Sequence, residues 1–267
     1  MSEIKMKIID LTKDHEQLYC CCLEDWSDEI KEAGTHKETW FAKMKDKGLT
    51  VKLALDDNGA VGGMIQYLPI EHSFAKGSDL YFIHCIWVHG YKQGRGNFQK
   101  RGMGKALLRA AEEDAITKGA KGMVAWGVSL PFWMKASWFK KRGYKKVDKQ
   151  GMMVLLWKPF VEDAVAPEWI REKQRPEKIP GQVTITAFKN GWCPAQNMVF
   201  ERAKRAAAEL CDRVVFHEID TFDRNIFLEW GIADALFIDE KQVRTGPPPS
   251  YEKIKKKIVR RLKKLKE

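Results

Sequence analysis

No apolar run in this chain approaches the roughly 18 residues that a membrane-spanning helix requires. Its first residues, Met1-Ser2-Glu3-Ile4-Lys5, lack the basic-then-apolar shape of a secretory leader, so a cytoplasmic location and no membrane partner are expected. The six cysteines (Cys20, Cys21, Cys22, Cys85, Cys193, Cys211) contain no CxxC pair, which argues against a zinc ribbon. In a reducing compartment they are expected as thiols, and no metal site is expected. There is no GxxxxGK[ST], so the chain is not a P-loop protein. Gly94 and Gly96 stand near other glycines, yet the spacing is not the GxGxxG of a dinucleotide fold. Excess positive charge is also scarce outside one segment. Of a net charge of +11, nine units fall in residues 253–266, which contain no acid. A basic footprint confined to one terminal helix makes nucleic acid an unlikely partner. Ile254, Ile258, Leu262 and Leu265 form one apolar stripe there, which reads as a closing helix docked by its stripe with its lysines in water.

What is present suits packed cores. The chain has 267 residues, 44% of them hydrophobic, with ten tryptophans, enough for one or two domains. Residues 4–11 read as an opening strand, followed by a helix from about Asp14 that carries the three consecutive cysteines, and a second helix over residues 36–47. Residues 50–55 and 60–68 flank Asp57-Asn58-Gly59, a hairpin signal. Residues 78–88 form a central strand. A mixed, mostly antiparallel sheet follows from this order.

The most informative stretch is Gln99-Lys100-Arg101-Gly102-Met103-Gly104-Lys105, between that strand and a helical pattern reaching about Thr117. Two glycines at a strand-to-helix turn let backbone approach a ligand without Cβ interference. The helix they open presents unpaired N–H groups and the positive end of its dipole to an anion, and Arg101 and Lys105 add charge. In isolation the motif reads equally as a tight turn with a solvated basic rim. It matches, however, the Q/R-x-x-G-x-G/A signature of the GCN5-related N-acetyltransferases (GNAT), which residues 4–158 resemble. Strand, glycine turn, helix, strand over 123–128, helix and the Lys141-Arg142-Gly143-Tyr144 turn arrive in that family's order.

The resemblance implies an α/β (α+β) acyltransferase fold that uses acetyl-CoA as cosubstrate. Its pyrophosphate would lie on Gln99, Lys100, Arg101, Gly102, Met103, Gly104 and Lys105, and its pantetheine would pair with Ile86, Trp87 and Val88, where a main-chain N–H polarises the thioester carbonyl. The run His84-Cys85-Ile86-Trp87-Val88-His89 is similar to the corresponding strand of arylalkylamine N-acetyltransferases, which makes His84 the preferred base. Residues two apart on a strand share a face, so His84 is expected to face as Ile86 and Val88 do. A histidine satisfied within the sheet is the competing reading. Glu71 and His72 are weaker candidates. Two departures stand out: Phe139 occupies the place of the family's tyrosine acid, and Phe132 that of its pantetheine-binding asparagine. Tyr144 reads as the ordinary aromatic after the turn glycine, so the acid role is unassigned. Residues 89–98 form a long loop that could fold over the nucleotide or stand in solvent.

The expected domains are residues 1–158, a proline-containing linker over 159–180, and a second domain over 181–267. The last has a β-α-β-α-β-β-α order and resembles the YoaP-type thioredoxin-like domain attached to some bacterial acetyltransferases. Cys193 stands after its first strand at a helix start, a position that favours thiolate. The motif Cys193-Pro194-Ala195-Gln196 lacks a resolving cysteine, so dithiol chemistry is not expected, while a reactive thiol, a recognition module and a structural domain stay open. If Cys193 does carry extra thiolate, it is expected to alkylate first among the six. The leading expectation is an acyl-CoA-dependent N-acyltransferase acting on a small amine or peptide. The alternative is a CoA-binding, non-catalytic or thiol-handling recognition protein that uses Cys193.

Overall fold

The Asn58-Gly59 signal marks a real turn. The Asp56 carboxylate accepts from the backbone N–H of Asn58 (3.0 Å) and Ala60 (2.9 Å), and Gly59 takes φ +80°. The computed structural model describes residues 6–129, 133–243 and 247–265, and it divides into two units, residues 1–26 with 42–170 and residues 27–41 with 171–267.

The first unit opens with β1 (Lys7–Asp10) and a short α1 (Glu16–Cys20). A 3-10 turn over Lys13–His15 takes the place of the expected helix start, and only Cys20 of the three consecutive cysteines is helical. The chain leaves α1 through Cys22 and Leu23, both at positive φ (54° and 64°). Next comes α2 (His36–Lys45), within which the division between units falls. Then follow β2 (Thr50–Leu55), β3 (Val61–Pro69), β4 (Ala75–Lys76), β5 (Leu80–Val88), α3 (Met103–Thr117), β6 (Gly122–Val128), α4 (Ala136–Lys140), β7 (Lys145–Gln150), β8 (Met153–Pro159) and β9 (Glu168–Trp169).

Seven strands form one sheet in the order β1-β2-β3-β5-β6-β8-β7, antiparallel at every pairing but β5–β6. That is the mixed, mostly antiparallel α/β arrangement expected from the order of elements. β5 lies at its centre, and beside it the first eight residues of β3 are buried, as for a strand covered on both faces. One face takes α3 through Met103, Leu107, Leu108, Ala111 and Ala115, and the Tyr67 hydroxyl donates to Asp114 at 2.7 Å. Burying a leucine such as Leu107 contributes about 2 kcal/mol. On the other face the Tyr19 hydroxyl donates to Gln66 Oε1 at 2.6 Å. The proline-containing segment does not run free. β9 pairs with β4, and Trp169 and Ile170 are buried in this unit.

The second unit holds β10 (Val183–Lys189), α5 (Pro194–Ala208), β11 (Val214–Asp220), α6 (Arg224–Trp230), β12 (Ala235–Ile238), β13 (Lys241–Gln242) and α7 (Tyr251–Lys263). Strand order is β11-β10-β12-β13, with β10 and β11 parallel and the other pairings antiparallel. The α5 residues Val199, Phe200, Ala203, Ala206 and Ala207 pack on Val183, Ile185, Ala187, Leu236 and Ile238. The apolar stripe of α7 docks as expected, with Ile254 and Ile258 fully buried and Leu262 and Leu265 beside them. Residues 27–41 join this unit through charge. Glu32 accepts from Arg202 (3.0 and 3.1 Å) and Arg205 (3.2 Å), and His36 lies 2.6 Å from Glu201. The expected hairpin over 242–244 begins in β13, while Arg244 lies outside the described residues.

Candidate active site

β5 and β6 pair only from Leu80↔Gly122 to Ile83↔Ala125. β5 continues beside β3 to Gly63↔Val88, and β6 continues beside β8 to Val128↔Met153. The two parallel strands therefore part, and the edge of β5 at Ile86, Trp87 and Val88 faces the fork without a β6 partner. A bulge accompanies the parting. Tyr67 faces Ile83 and Gln66 faces Cys85, so His84 is an extra residue in β5. At that level the Trp126 indole N–H donates to the His84 carbonyl at 2.9 Å, a side chain standing where a strand pairing would otherwise continue.

The bulge corrects the face expected for His84. Before it, Tyr81 and Ile83 share the α3 face with Tyr67. After it, Ile86 and Val88 share that face with Ile65 and Gly63. His84 lies on the opposite face with Phe82, its ring 5.2 Å from Phe82 and 4.7 Å from Phe74 in edge contacts. It is buried, at 1% exposure. Alternation fails because strand pairing with β3, rather than spacing along the chain, sets the side.

The glycine turn opens α3 beside the fork. Gly102 is its N-cap at φ +91°, a conformation glycine adopts without strain, and Lys100 before it is at φ +63°. No side chain caps the helix and no acid stands in its first turn, so its N–H groups and dipole are not neutralised from within. A Cβ on Gly104 would stand 3.4 Å from Trp138 Cζ2 and 3.7 Å from Val88 Cγ2, which places this turn between β5 and α4. The Arg101 guanidinium lies over the Phe98 ring at 5.3 Å.

Residues 89–98 are tied down at several points. The His89 Nε2 accepts from the Trp26 indole N–H (2.9 Å), so the proton must sit on Nδ1, which donates to the Gly96 carbonyl (2.7 Å). His89 N–H donates to the Gly62 carbonyl (2.9 Å) and Phe98 N–H to the His89 carbonyl (2.9 Å). Phe98 packs so closely on β3 that a Cβ at Gly62 would come within 2.4 Å of its ring. The loop is thus anchored at both ends with its middle, residues 91–94, exposed.

Other sequence candidates are dispersed. Glu71 lies in the turn after β3 and close to Tyr81, whose hydroxyl is pushed up by burial and by the charges of Asp114 and Glu71. That is the far end of β5, about 20 Å of strand from Trp87. His72 occupies the same turn. Phe139 is buried against Tyr144, with ring centroids 5.4 Å apart. Tyr144 is itself buried, and its pKa is driven well above the ordinary value by desolvation and by Glu112. Phe132 lies outside the described residues. The sequence reading missed Trp138 and Arg142, whose guanidinium stacks 3.7 Å above the indole and donates to the Trp138 carbonyl at 2.6 Å. Trp138 lies in α4 and Arg142 in the turn after it, so no helical periodicity marked the pair.

In the second unit Cys193 is the N-cap of α5, 9% exposed, with Pro194 as the first helical residue. Asp234 accepts from Asn190 N–H (3.0 Å) and Trp192 Nε1 (2.8 Å) just before it. Burial pushes the Asp234 carboxyl up to about 6 against those two bonds. Among the described residues no cluster of three or more His, Cys, Asp or Glu could hold a metal, and no helix is long and apolar enough to cross a membrane.

Residues 12–144 match the profile of the acetyltransferase (GNAT) family. No curated protein matches the chain. Among solved structures it is similar to the PaiA N-acetyltransferase of Thermoplasma acidophilum in complex with coenzyme A, at 16% identity and a TM-score of 0.43, over 60% of this chain and 100% of that one. It is also similar to the Escherichia coli GNAT protein YhbS in complex with CoA, at 10% identity and a TM-score of 0.45, over 63% of this chain and 92% of that one. A Brucella melitensis GNAT acetyltransferase in complex with acetyl-CoA matches at 18% identity and a TM-score of 0.39, over 60% and 91% of the two chains.

Proposed function

We propose that the protein is a member of the acetyltransferase (GNAT) family, whose profile residues 12–144 match, and that it transfers acetyl from acetyl-CoA to a primary amine of a small molecule or peptide. The observation that carries this reading is the uncapped N-terminus of α3, opened by a glycine at φ +91°, standing beside the open edge of β5. The pyrophosphate would take the N–H groups around Gly102, Met103 and Gly104, with Arg101 and Lys105 adding charge. Trp138, which carries the Arg142 guanidinium on its ring, stands beside Gly104. The pantetheine would lie in the fork along Ile86, Trp87 and Val88, where a main-chain N–H donates to the thioester oxygen as negative charge develops there.

The amine nitrogen attacks the thioester carbon, the C–S bond breaks, the thiolate leaves as CoA, and the amine proton passes to a base. His84 takes that role in this reading. The bulge sets it beside the fork, with the Phe74 and Phe82 rings 4.7 and 5.2 Å from its own. Neither Phe139, which stands at the acid's place, nor Tyr144, which is buried against Glu112, is a proton donor in this reading. The thiolate therefore leaves unassisted and is protonated from water.

The second unit reads as a thioredoxin-like recognition domain. Its support is the strand order β11-β10-β12-β13 with one parallel pair, and α5 starting directly after Cys193. The buried Phe139 and Tyr144 favour one competing reading, a domain that binds CoA without turning it over. Release of CoA thiol from acetyl-CoA across a panel of amines decides between them. Turnover that falls at least tenfold in His84→Ala with CoA affinity retained supports the transferase. CoA binding without release for any amine supports the alternative. A cytoplasmic location is part of the proposal.

A further inference from the structure

Trp26, Trp87, His89 and Tyr91 form one aromatic cluster in the first unit. Tyr91 lies 5.8 Å from Trp26 at 66°, 5.5 Å from His89 at 77° and 6.3 Å from Trp87 at 48°, and Trp26 meets His89 at 6.0 Å and 82°. The rings are thus set at steep angles to one another, as the walls of a box rather than a stack. Two of them are open to solvent, Trp26 at 39% and Tyr91 at 45% exposure. The Trp87 indole N–H is buried without a hydrogen-bond partner among the described residues.

Its position follows from the strand register. Trp87 pairs with Met64, and so points to the face opposite α3. The side chain therefore rises from the open edge of β5 on the side away from the glycine turn. The other walls are held in place independently. His89 is fixed by the Trp26 indole and the Gly96 carbonyl, so it is neutral and leaves no cation in the cluster. The Arg95 guanidinium pairs with Asp25 (3.2 and 3.4 Å) and is neutralised there. Trp26 itself is delivered by the segment after Cys22 and Leu23, whose two successive positive φ angles turn the chain sharply out of α1. Glu24, between that turn and Trp26, is close enough for its charge to add to burial in raising the Tyr91 hydroxyl's pKa. Aromatic faces at steep angles with a carboxylate beside them attract a cation, most strongly an alkylammonium.

Resting on the transferase reading above, we propose that Trp26, Trp87 and Tyr91, with Glu24, hold a cationic ammonium of the acceptor, so that the preferred substrates are diamines. One amine, deprotonated, reaches the thioester at the β5 edge, while the second stays protonated on the aromatic faces. Monoamines fill the reactive position without that anchor.

Two measurements test this, one without chemistry. Calorimetric titration with choline and with its neutral isostere 3,3-dimethylbutan-1-ol reads the box alone, and the cation is expected to bind about tenfold tighter. That ratio should collapse towards one in Tyr91→Leu and survive in Tyr91→Phe, and Glu24→Gln should lower it while weakening its salt dependence. Acetyl transfer to 1,4-diaminobutane should exceed transfer to butylamine about tenfold in kcat/KM, and the same variants should move that ratio in step. Equal binding of choline and its isostere, or a ratio indifferent to Tyr91→Leu, overturns the proposal. Selective choline binding without transfer to either amine sustains the cation box and instead refutes the transferase reading.

Discussion

Gly104→Val should separate folding from CoA binding. The first added carbon would stand 3.4 Å from Trp138 Cζ2 and 3.7 Å from Val88 Cγ2, ordinary van der Waals distances, and Gly104 is not at positive φ. A single methyl fits there, as a signature with Gly or Ala at this position requires, so Gly104→Ala should keep CoA binding and gain up to about 1 kcal/mol of helix stability. The two further methyls of valine fill the space through which a phosphate would approach the N–H groups of α3. Loss of one hydrogen bond to a charged phosphate costs about 1.5–3 kcal/mol, or roughly 10- to 150-fold in affinity. The contrast with Gly102 sharpens the test. At φ +91° any other residue there is strained, so Gly102→Ala should lose both stability and binding. Calorimetry with CoA and denaturant unfolding on the same preparations measure the two quantities. A Gly104→Val protein that is folded and binds CoA as tightly as wild type would refute the placement of the pyrophosphate.

Three further outcomes are expected. Arg202 is buried at 4% exposure and paired with Glu32, so Glu32→Ala should leave it only Glu29 at 3.6 Å and the Pro249 carbonyl and destabilise the second unit by about 1.5–3 kcal/mol in denaturant unfolding, whereas a loss below 1 kcal/mol would show that residues 27–41 are not held by this pair. The Asp234 carboxyl is raised to about 6 by burial, so the stability it contributes is fully present below its unfolded pKa near 4 and is lost as pH rises through about 6. Unfolding followed from pH 4 to 7 should show that decline in wild type and lose it in Asp234→Asn; an identical profile for both proteins contradicts the assignment. Cys193 is 9% exposed while Cys211 is exposed, so limiting iodoacetamide should label Cys211 first by mass spectrometry, in place of the order expected from the helix dipole, and faster labelling of Cys193 would show that α5 opens readily.

What the sequence made legible was local. The Asn58-Gly59 turn and Gly102 at the opening of α3 depend on φ angles that few residues other than glycine adopt without strain, so composition alone reveals them. The apolar stripe of α7 is likewise a property of spacing. The bulge at His84 was not legible, because it is a mismatch of register between β5 and β3 that neither strand carries by itself. Nor was the membership of residues 27–41 in the second unit, which rests on Glu32 meeting Arg202, 170 positions away. His89 gave no signal as a loop anchor for the same reason, since one of its two partners, Trp26, lies 63 residues distant. Long-range polar contacts leave no periodic trace in a sequence, whereas turns and amphipathic faces do.

The most direct test of the central claim is amide hydrogen exchange of the whole chain with and without CoA. Slowed exchange in peptides covering residues 86–88 and 101–106, with the other segments unchanged, is the result this account predicts. Protection confined to the basic helix α7, with those two segments exchanging as in the free protein, would contradict it.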